Sequence, residues 1–242
     1  MTVELFLILL FVVAFLYASV GHGGASGYLA LMAIYGISST VTKPTALLLN
    51  LFVSLTSFIQ FARGGFFRRQ IFVPLVIASI PMSFIGGLLT LEEDPYKKVL
   101  GITLLVPAFR FLFFPNTQSH ELRKSNPGLS VAIGAFIGFL SGLIGIGGGI
   151  LLSPILLLLK WTDQKQTAAI SALFIFVNSV AGLSGQLTKG VSFTSDMYLY
   201  VAVAFTGGLC GAYMGALKMN QTVLKNILAL VLLLAAIKLI FV

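Results

Sequence analysis

Two glycine clusters hold the residue types and spacing in this sequence that could do chemistry. Gly145-Ile146-Gly147-Gly148-Gly149 separates two apolar runs and leads into Ile150-Leu151-Leu152-Ser153-Pro154. Gly21-His22-Gly23-Gly24-Ala25-Ser26-Gly27 holds the corresponding place earlier in the chain. Glycine lets a backbone leave helical geometry and turn its N–H groups outward. A short helix that starts at such a break points its positive dipole end and free amides into the gap, an arrangement that binds small anions. The pattern is not a dinucleotide fingerprint, because no strand precedes it. The competing use of glycine between apolar helices is close packing. Gly134, Gly138 and Gly142, at four-residue spacing, fit that use, as do Gly207, Gly211 and Gly215. At the two breaks the candidate anion contacts are Gly21, His22, Gly23, Gly24 and Ser26, and then Gly145, Gly147, Gly148, Gly149 and Ser153.

Polar side chains inside apolar runs extend the set. Asn50, Ser54, Thr56, Ser57 and Gln60 lie on one segment, and Ser171, Asn178, Ser179, Ser184 and Gln186 on its later counterpart. An amide in hydrocarbon needs a partner, so these side chains are expected to face the bundle interior. Asn50, Gln60, Asn178 and Gln186 are the candidate neutral donors; hydrogen bonding between helices is the other use for them. His22 stands where the later cluster has Ile146, and it can titrate, gate or donate to an anion, or simply bond a backbone carbonyl. Lys43 ends the loop before Pro44; it could attract anions at the outer mouth, but the role expected of it is that of a loop cation.

Several chemistries are excluded. No Asp or Glu falls in the central part of an apolar segment, so a carboxylate proton relay is not expected. Ser19 and His22 are neighbours in sequence, but no acid accompanies them, so no catalytic residue is assigned and the chain is not read as an enzyme. With His22, His120 and a single cysteine, Cys210, there is neither a metal-ligand set nor an intrachain disulfide. No cofactor is expected.

The elements that must position these residues follow from composition. Of 242 residues, 58% are hydrophobic and 9% charged, with a mean hydropathy of +1.04. Soluble domains carry about 25% charged residues, so this is an integral membrane protein. Apolar segments occupy about 3–20, 25–36, 45–62, 71–90, 97–114, 128–143, 150–160, 167–187, 194–216 and 223–241. Crossing hydrocarbon takes about 20 helical residues, and 25–36 and 150–160 are too short. Each follows a glycine cluster. The Met1-Thr2-Val3-Glu4 start has no basic region typical of a cleaved signal, so Leu5 to Ala18 is expected to be retained.

The chain also repeats itself. Phe15-Leu16 and the first glycine cluster answer Phe139-Leu140 and the second. After a two-residue drift, Ala46-Leu47 answers Ala172-Leu173, Gln60 answers Gln186, and Arg63-Gly64 answers Lys189-Gly190. Duplication with interrupted helices at corresponding places points to a secondary-transporter architecture. The expected organisation is a first transmembrane repeat over 1–114, a cytoplasmic linker over 115–127 and a second repeat over 128–242.

Charge decides the relative orientation of the halves. If each long and short pair fuses into one crossing, the loop Lys and Arg split evenly between the two sides. If the pair forms a re-entrant hairpin, or both members cross, one side gains Arg63, Arg68, Arg69, Arg123, Lys124, Lys160, Lys165, Lys218 and Lys225. A biased distribution with its basic side in the cytoplasm is the normal pattern. That choice makes the halves inverted repeats with both termini outside the cytoplasm, and it leaves hairpin and full crossing both open. The net charge of +8 therefore reads as topology, and no nucleic-acid partner is expected. Glu92-Glu93-Asp94 reads as a solvated turn.

At these residues the chain resembles the sulfite exporter TauE/SafE family of membrane permeases. The resemblance rests on Gly145 to Gly149 followed by Ser153-Pro154, on Phe176-Val177-Asn178-Ser179-Val180-Ala181-Gly182-Leu183, and on Gly21-His22-Gly23-Gly24. It extends over nearly the whole length. It implies transport of sulfur-containing anions such as sulfite, sulfoacetate or other organosulfonates, in a prokaryotic inner membrane or a comparable plasma membrane. The first cluster departs from the triple-glycine form: Ala25 stands where Gly149 does, and no proline matches Pro154.

The reading that results is an all-α polytopic membrane protein of two inverted repeats. It is expected to move a small anionic substrate outward through the lipid bilayer by alternating access. A membrane potential negative inside favours exit of a monoanion by about 2.3 kcal/mol per 100 mV, so export can run without a coupled ion. An anion channel of the same architecture, a non-transporting assembly or sensor partner, and a homo-oligomer remain open.

Overall fold

The computed structural model describes residues 3–19, 24–113, 122–191 and 193–217, with only 233, 236 and 237 beyond them. Among these residues all regular structure is helical. The helices are α1 (Val3–Ser19), α2 (Ala25–Ile34), α3 (Ser39–Arg63), α4 (Arg69–Leu88), α5 (Glu93–Phe113), α6 (Pro127–Ile144), α7 (Gly149–Leu158), α8 (Gln164–Leu187) and α9 (Ser195–Leu217). The tenth apolar segment of the sequence, apart from those isolated positions, lies outside the described residues. So do His120 and most of the expected linker.

Five helices, α3, α4, α6, α8 and α9, are long and apolar enough to cross a membrane. Their surfaces are inverted relative to a soluble protein. Ile77, Phe136 and Tyr213 are exposed, while Asn50, Ser141 and Asn178 are fully buried. The short helices α2 and α7 have 10 residues each. At 1.5 Å per residue that is about 15 Å, half the thickness of a hydrocarbon core.

Helix α3 starts six residues earlier than the apolar run suggested, at Ser39. Pro44 lies in its second turn, where one backbone bond, to Thr40 O, is forfeited. The Thr42 hydroxyl donates to Ile37 O and that of Thr45 to Val41 O. Lys43 is consequently a helical residue, not a loop cation, and it is buried.

Glycine sets the tightest packing. Gly134, Gly138 and Gly142 of α6 lie against the backbone of Leu75, Ser79 and Ser83 of α4, so the two helices run parallel. Gly207 and Gly211 of α9 meet the backbone of Phe11 and Phe15 of α1 in the same manner. Without a side chain on one partner, backbones approach and dispersion replaces the hydrophobic drive that lipid cannot supply. Between these pairs α3 and α8 cross antiparallel, with Asn50 bonded to Ser179 and Leu47 beside Gly182.

The loops gather at two ends. At one, the Ser39 backbone N–H and hydroxyl donate to Glu93 Oε2, and Lys189 Nζ donates to Thr90. At the other, Lys165 lies over the Phe66 ring and Arg123 N donates to Lys160 O. Arg63, Arg68, Arg123, Lys160 and Lys165 thus collect at or next to the second end. Helix α1 leaves the first end, and α2 returns there, with Phe6 against Tyr35 and Ser26 bonded to Tyr17. Helix α6 leaves the second end, and α7 returns to it at Lys160. The two helix pairs therefore open towards opposite ends of the bundle.

Candidate substrate site

The second break is built by three left-handed glycines. Gly145 (φ 90°) closes α6, and the chain turns through Gly147 (φ 71°) and Gly148 (φ 79°) into α7. A side chain at such angles clashes with its own carbonyl, so glycine is the residue that fits. Gly24 (φ 89°) begins α2 in the same conformation. Neither α2 nor α7 has a side-chain cap. By contrast, Asn126 and Asp163 cap α6 and α8, accepting from Leu129 N (3.2 Å) and Gln166 N (2.8 Å). Leu152 N bonds Gly148 O and Tyr28 N bonds Gly24 O. The first amides of both short helices therefore have no acceptor within their own helix and carry its positive end.

The break is held between helices of both halves. A methyl group added at Gly147 would lie 2.5 Å from Asn50 Nδ2 on α3, and 2.8 Å from Ile175 Cγ2 and 3.1 Å from Ser179 Oγ on α8. One at Gly148 would meet Ile137 Cγ2 at 2.8 Å and Phe174 Cε1 at 3.0 Å. Gly149 lies against Ile175, and Gly145 against the backbone of Lys43. Asn50, from the first half of the chain, thus stands at the break of the second.

Unmet hydrogen-bonding capacity marks the same place. Asn50 Nδ2 donates to Ser179 Oγ at 3.2 Å, while its buried Oδ1 has no partner. The Ser141 hydroxyl, whose Cβ would lie 3.4 Å from a methyl group on Gly148, also has none. A buried polar atom left unpaired costs about 1–3 kcal/mol, and proteins keep few of them without a reason.

The other candidates are distributed unevenly. Ser153 is buried and bonded to Gly149 O and to the Ser171 hydroxyl at 2.8 Å. Asn178 donates to Phe174 O at 2.8 Å and keeps Oδ1 unpartnered; Gln186 is buried with Nε2 unpartnered. Ser26 donates to Tyr17 OH, and Gly24 faces the unpartnered Tyr28 hydroxyl. Gln60 is exposed near the end of α3 and is not brought to this group. Gly21, His22 and Gly23 lie outside the described residues. Helix α2 packs on α1 and α3, and α7 on α8, α5 and α6.

Two features escaped the sequence reading. Tyr96 of α5 donates to Ile144 O at 3.1 Å, tying α5 to the last residue before the break. Lys43, buried beside Gly145, lies over the Tyr96 ring at 4.8 Å. The seven-residue interval from Lys43 to Asn50 puts both on one face of α3, an alignment that arises because the helix continues back through Pro44 to Ser39. Further out, partial burial holds the Lys189 ammonium below its ordinary pKa.

Comparison with known proteins agrees with this architecture. The sulfite exporter TauE/SafE family profile matches residues 6–239. The chain is 36% identical over 241 residues to the probable membrane transporter protein y4hK of Sinorhizobium fredii, covering 96% of this chain and 95% of that one. It is 24% identical to the probable membrane transporter protein YunE of Bacillus subtilis, over 85% of this chain and 82% of the relative. A shorter stretch, 40% of this chain and 22% of the relative, is 32% identical to the sulfite exporter TauE/SafE family protein 5 of Arabidopsis thaliana. No solved structure matches significantly. Matched along nearly its whole length and built from apolar helices broken at buried glycines, the chain belongs to the sulfite exporter TauE/SafE family and is a multi-pass membrane transporter.

Proposed function

We propose that the protein exports a small sulfur-containing anion, sulfite or an organosulfonate, by alternating access. The observation that carries this reading is the meeting of the uncapped α7 N-terminus with buried Asn50 at Gly147. Free amides at a dipole's positive end attract an oxyanion, and neutral amide and hydroxyl groups orient it without a fixed countercharge. Asn50, Ser141, Gly147, Gly148 and Gly149 form the main contact on this reading. Asn178 and Gln186 line the route on α8, and Gly24 and Ser26 serve the corresponding tip on α2.

The halves, 1–114 and 128–242, are read as inverted repeats. Supporting this, α4 packs on α6 as α9 packs on α1, and the two helix pairs open towards opposite ends. Each tip then reaches about 15 Å into the bilayer from its own side, near the midplane. The end bearing Arg63, Arg68, Arg123, Lys160 and Lys165 is assigned to the cytoplasm of a cell whose inner membrane holds the protein, with both termini outside. Export of a monoanion follows the potential and needs no coupled ion.

The test is flux of labelled sulfite from proteoliposomes holding the purified protein, with an inside-negative potential and no pH gradient. Saturable efflux that is accelerated by sulfite on the opposite side is expected. Strict dependence on an imposed pH gradient would remove the uncoupled mechanism, and single-channel current would replace the carrier with a channel. Thiol labelling of Glu92→Cys and Lys124→Cys in a Cys210→Ala background of intact cells checks the orientation. Only the former is expected to react with an impermeant reagent.

A further inference from the structure

Lys43 places a cation beside the break, on α3. Its side chain is 7% exposed, and α3 carries it about one turn in from the end where Ser39 meets Glu93. Among the described residues the ammonium has no hydrogen-bond acceptor and no carboxylate at ion-pair distance; its contact is the Tyr96 ring face. Glu93 and Lys189 act on it only at longer range and with opposite signs. Glu93 is committed instead to the Ser39 N–H and hydroxyl, and Lys189 to Thr90.

The stem of Lys43 is buried while its ammonium keeps some contact with solvent, and the cation–π contact returns only a fraction of the hydration lost. An ammonium held this way, over a ring and beside no carboxylate, stays open to an incoming anion. Its position suits that purpose. Gly145 rests against the Lys43 backbone and Gly147 against Asn50, so the break runs along α3 between the two side chains. Seven residues of helix separate them by about 10 Å on one face. Tyr96 fixes the geometry, holding Ile144 O with its hydroxyl while its ring receives the ammonium.

The geometry points to Lys43 as a second anion site, on the end of the break away from the basic loops, which receives the substrate as it leaves Asn50 and Gly147. The assignment rests on the anion-transport reading above and adds a charge-selective station to its neutral pocket. An oxyanion at Lys43 forms a charge-assisted bond with the ammonium over the Tyr96 ring, so neutral sulfur compounds of like size are refused there.

The experiment compares the purified full-length protein with Lys43→Met, Lys43→Gln and Lys43→Arg, using sodium sulfite as the probe. Sulfite-dependent thermal stabilisation and proteoliposome efflux are both measured. In Lys43→Met and Lys43→Gln the half-saturating sulfite concentration is expected to rise about tenfold or more, the value of one charge-assisted bond. Lys43→Arg is expected to recover most of that loss. The melting temperature without sulfite is expected to stay level in Lys43→Met, since no hydrogen bond or ion pair is lost and the apolar stem is kept; a lysine with a merely structural role would lower it. Unchanged half-saturation in both neutral variants, with wild-type flux intact, overturns the Lys43 site and leaves the transport reading standing. Failure of both neutral variants to fold assigns Lys43 a structural role and also overturns it. If the wild type neither binds nor moves sulfite, the transport reading fails and takes this site with it.

Discussion

The two breaks share a backbone device and differ in what presses on it. Gly24 and Gly148 both start a ten-residue helix from a left-handed conformation, with no side-chain cap. Around the second break, however, atoms of other helices crowd in: Asn50 of α3, Ile175 and Phe174 of α8, Ile137 of α6. At Gly24 the three atoms nearest an added methyl group all belong to Tyr28 of its own helix, at 2.5, 2.6 and 3.0 Å. The same backbone device is hemmed by three helices at the second break and pressed by one tyrosine of its own helix at Gly24. The consequence is that symmetry of sequence does not make the two sites equal in energy or in role.

The largest expected effect breaks this comparison at its tight side. Gly147→Val should abolish sulfite efflux and lower stability by about 3 kcal/mol or more, since it adds bulk beside Asn50 and strains a positive φ. Gly24→Ala, which strains a positive φ and presses on Tyr28 of its own helix, should cost about 1–2 kcal/mol and retain most flux. Melting curves in detergent paired with efflux rates decide the matter; equal losses at the two glycines would restore functional symmetry.

Asn50→Ala comes next. It strips the one amide that links α3 to the break, and an efflux loss of about tenfold is expected, with about 1–2 kcal/mol of stability. Asn178→Ala should lose less flux, because its amide already serves Phe174 O on its own helix. A reversed order between these two would move the main contact from α3 to α8. Ser153→Ala removes the hydroxyl pair with Ser171 and should cost about 1 kcal/mol, seen as a lower melting temperature with little change in half-saturating sulfite. Smallest of all, Gln60→Ala should leave stability within about 0.5 kcal/mol and flux at the wild-type level, because the side chain is exposed. A clear loss of flux there would mean that the exposed end of α3 belongs to the route.

Helix spans were legible because hydrocarbon imposes a length and composition that no soluble fold shares, and α6, α8 and α9 begin and end within a few residues of the apolar runs. The breaks were legible because left-handed backbone selects glycine locally, as at Gly24, Gly145, Gly147 and Gly148. The direction in which polar side chains face was less so. Gln60 and Gln186 occupy matching places in the repeat, yet one is exposed and the other buried. A one-residue change of phase turns a side chain by about 100°, and an offset that drifts by two residues cannot settle the phase.

Sequence alone determined that this chain lives in a membrane, that it is helical, and where its helices break, since hydropathy and backbone conformation are properties of short segments. Tertiary structure decided that Asn50 of the first half belongs with Gly147 of the second, and that Lys43 packs beside Gly145 and over the Tyr96 ring. Those facts depend on how α3 crosses α8 and rests against the end of α6. Such a crossing is set by complementary surfaces far apart in the chain, which no local pattern encodes.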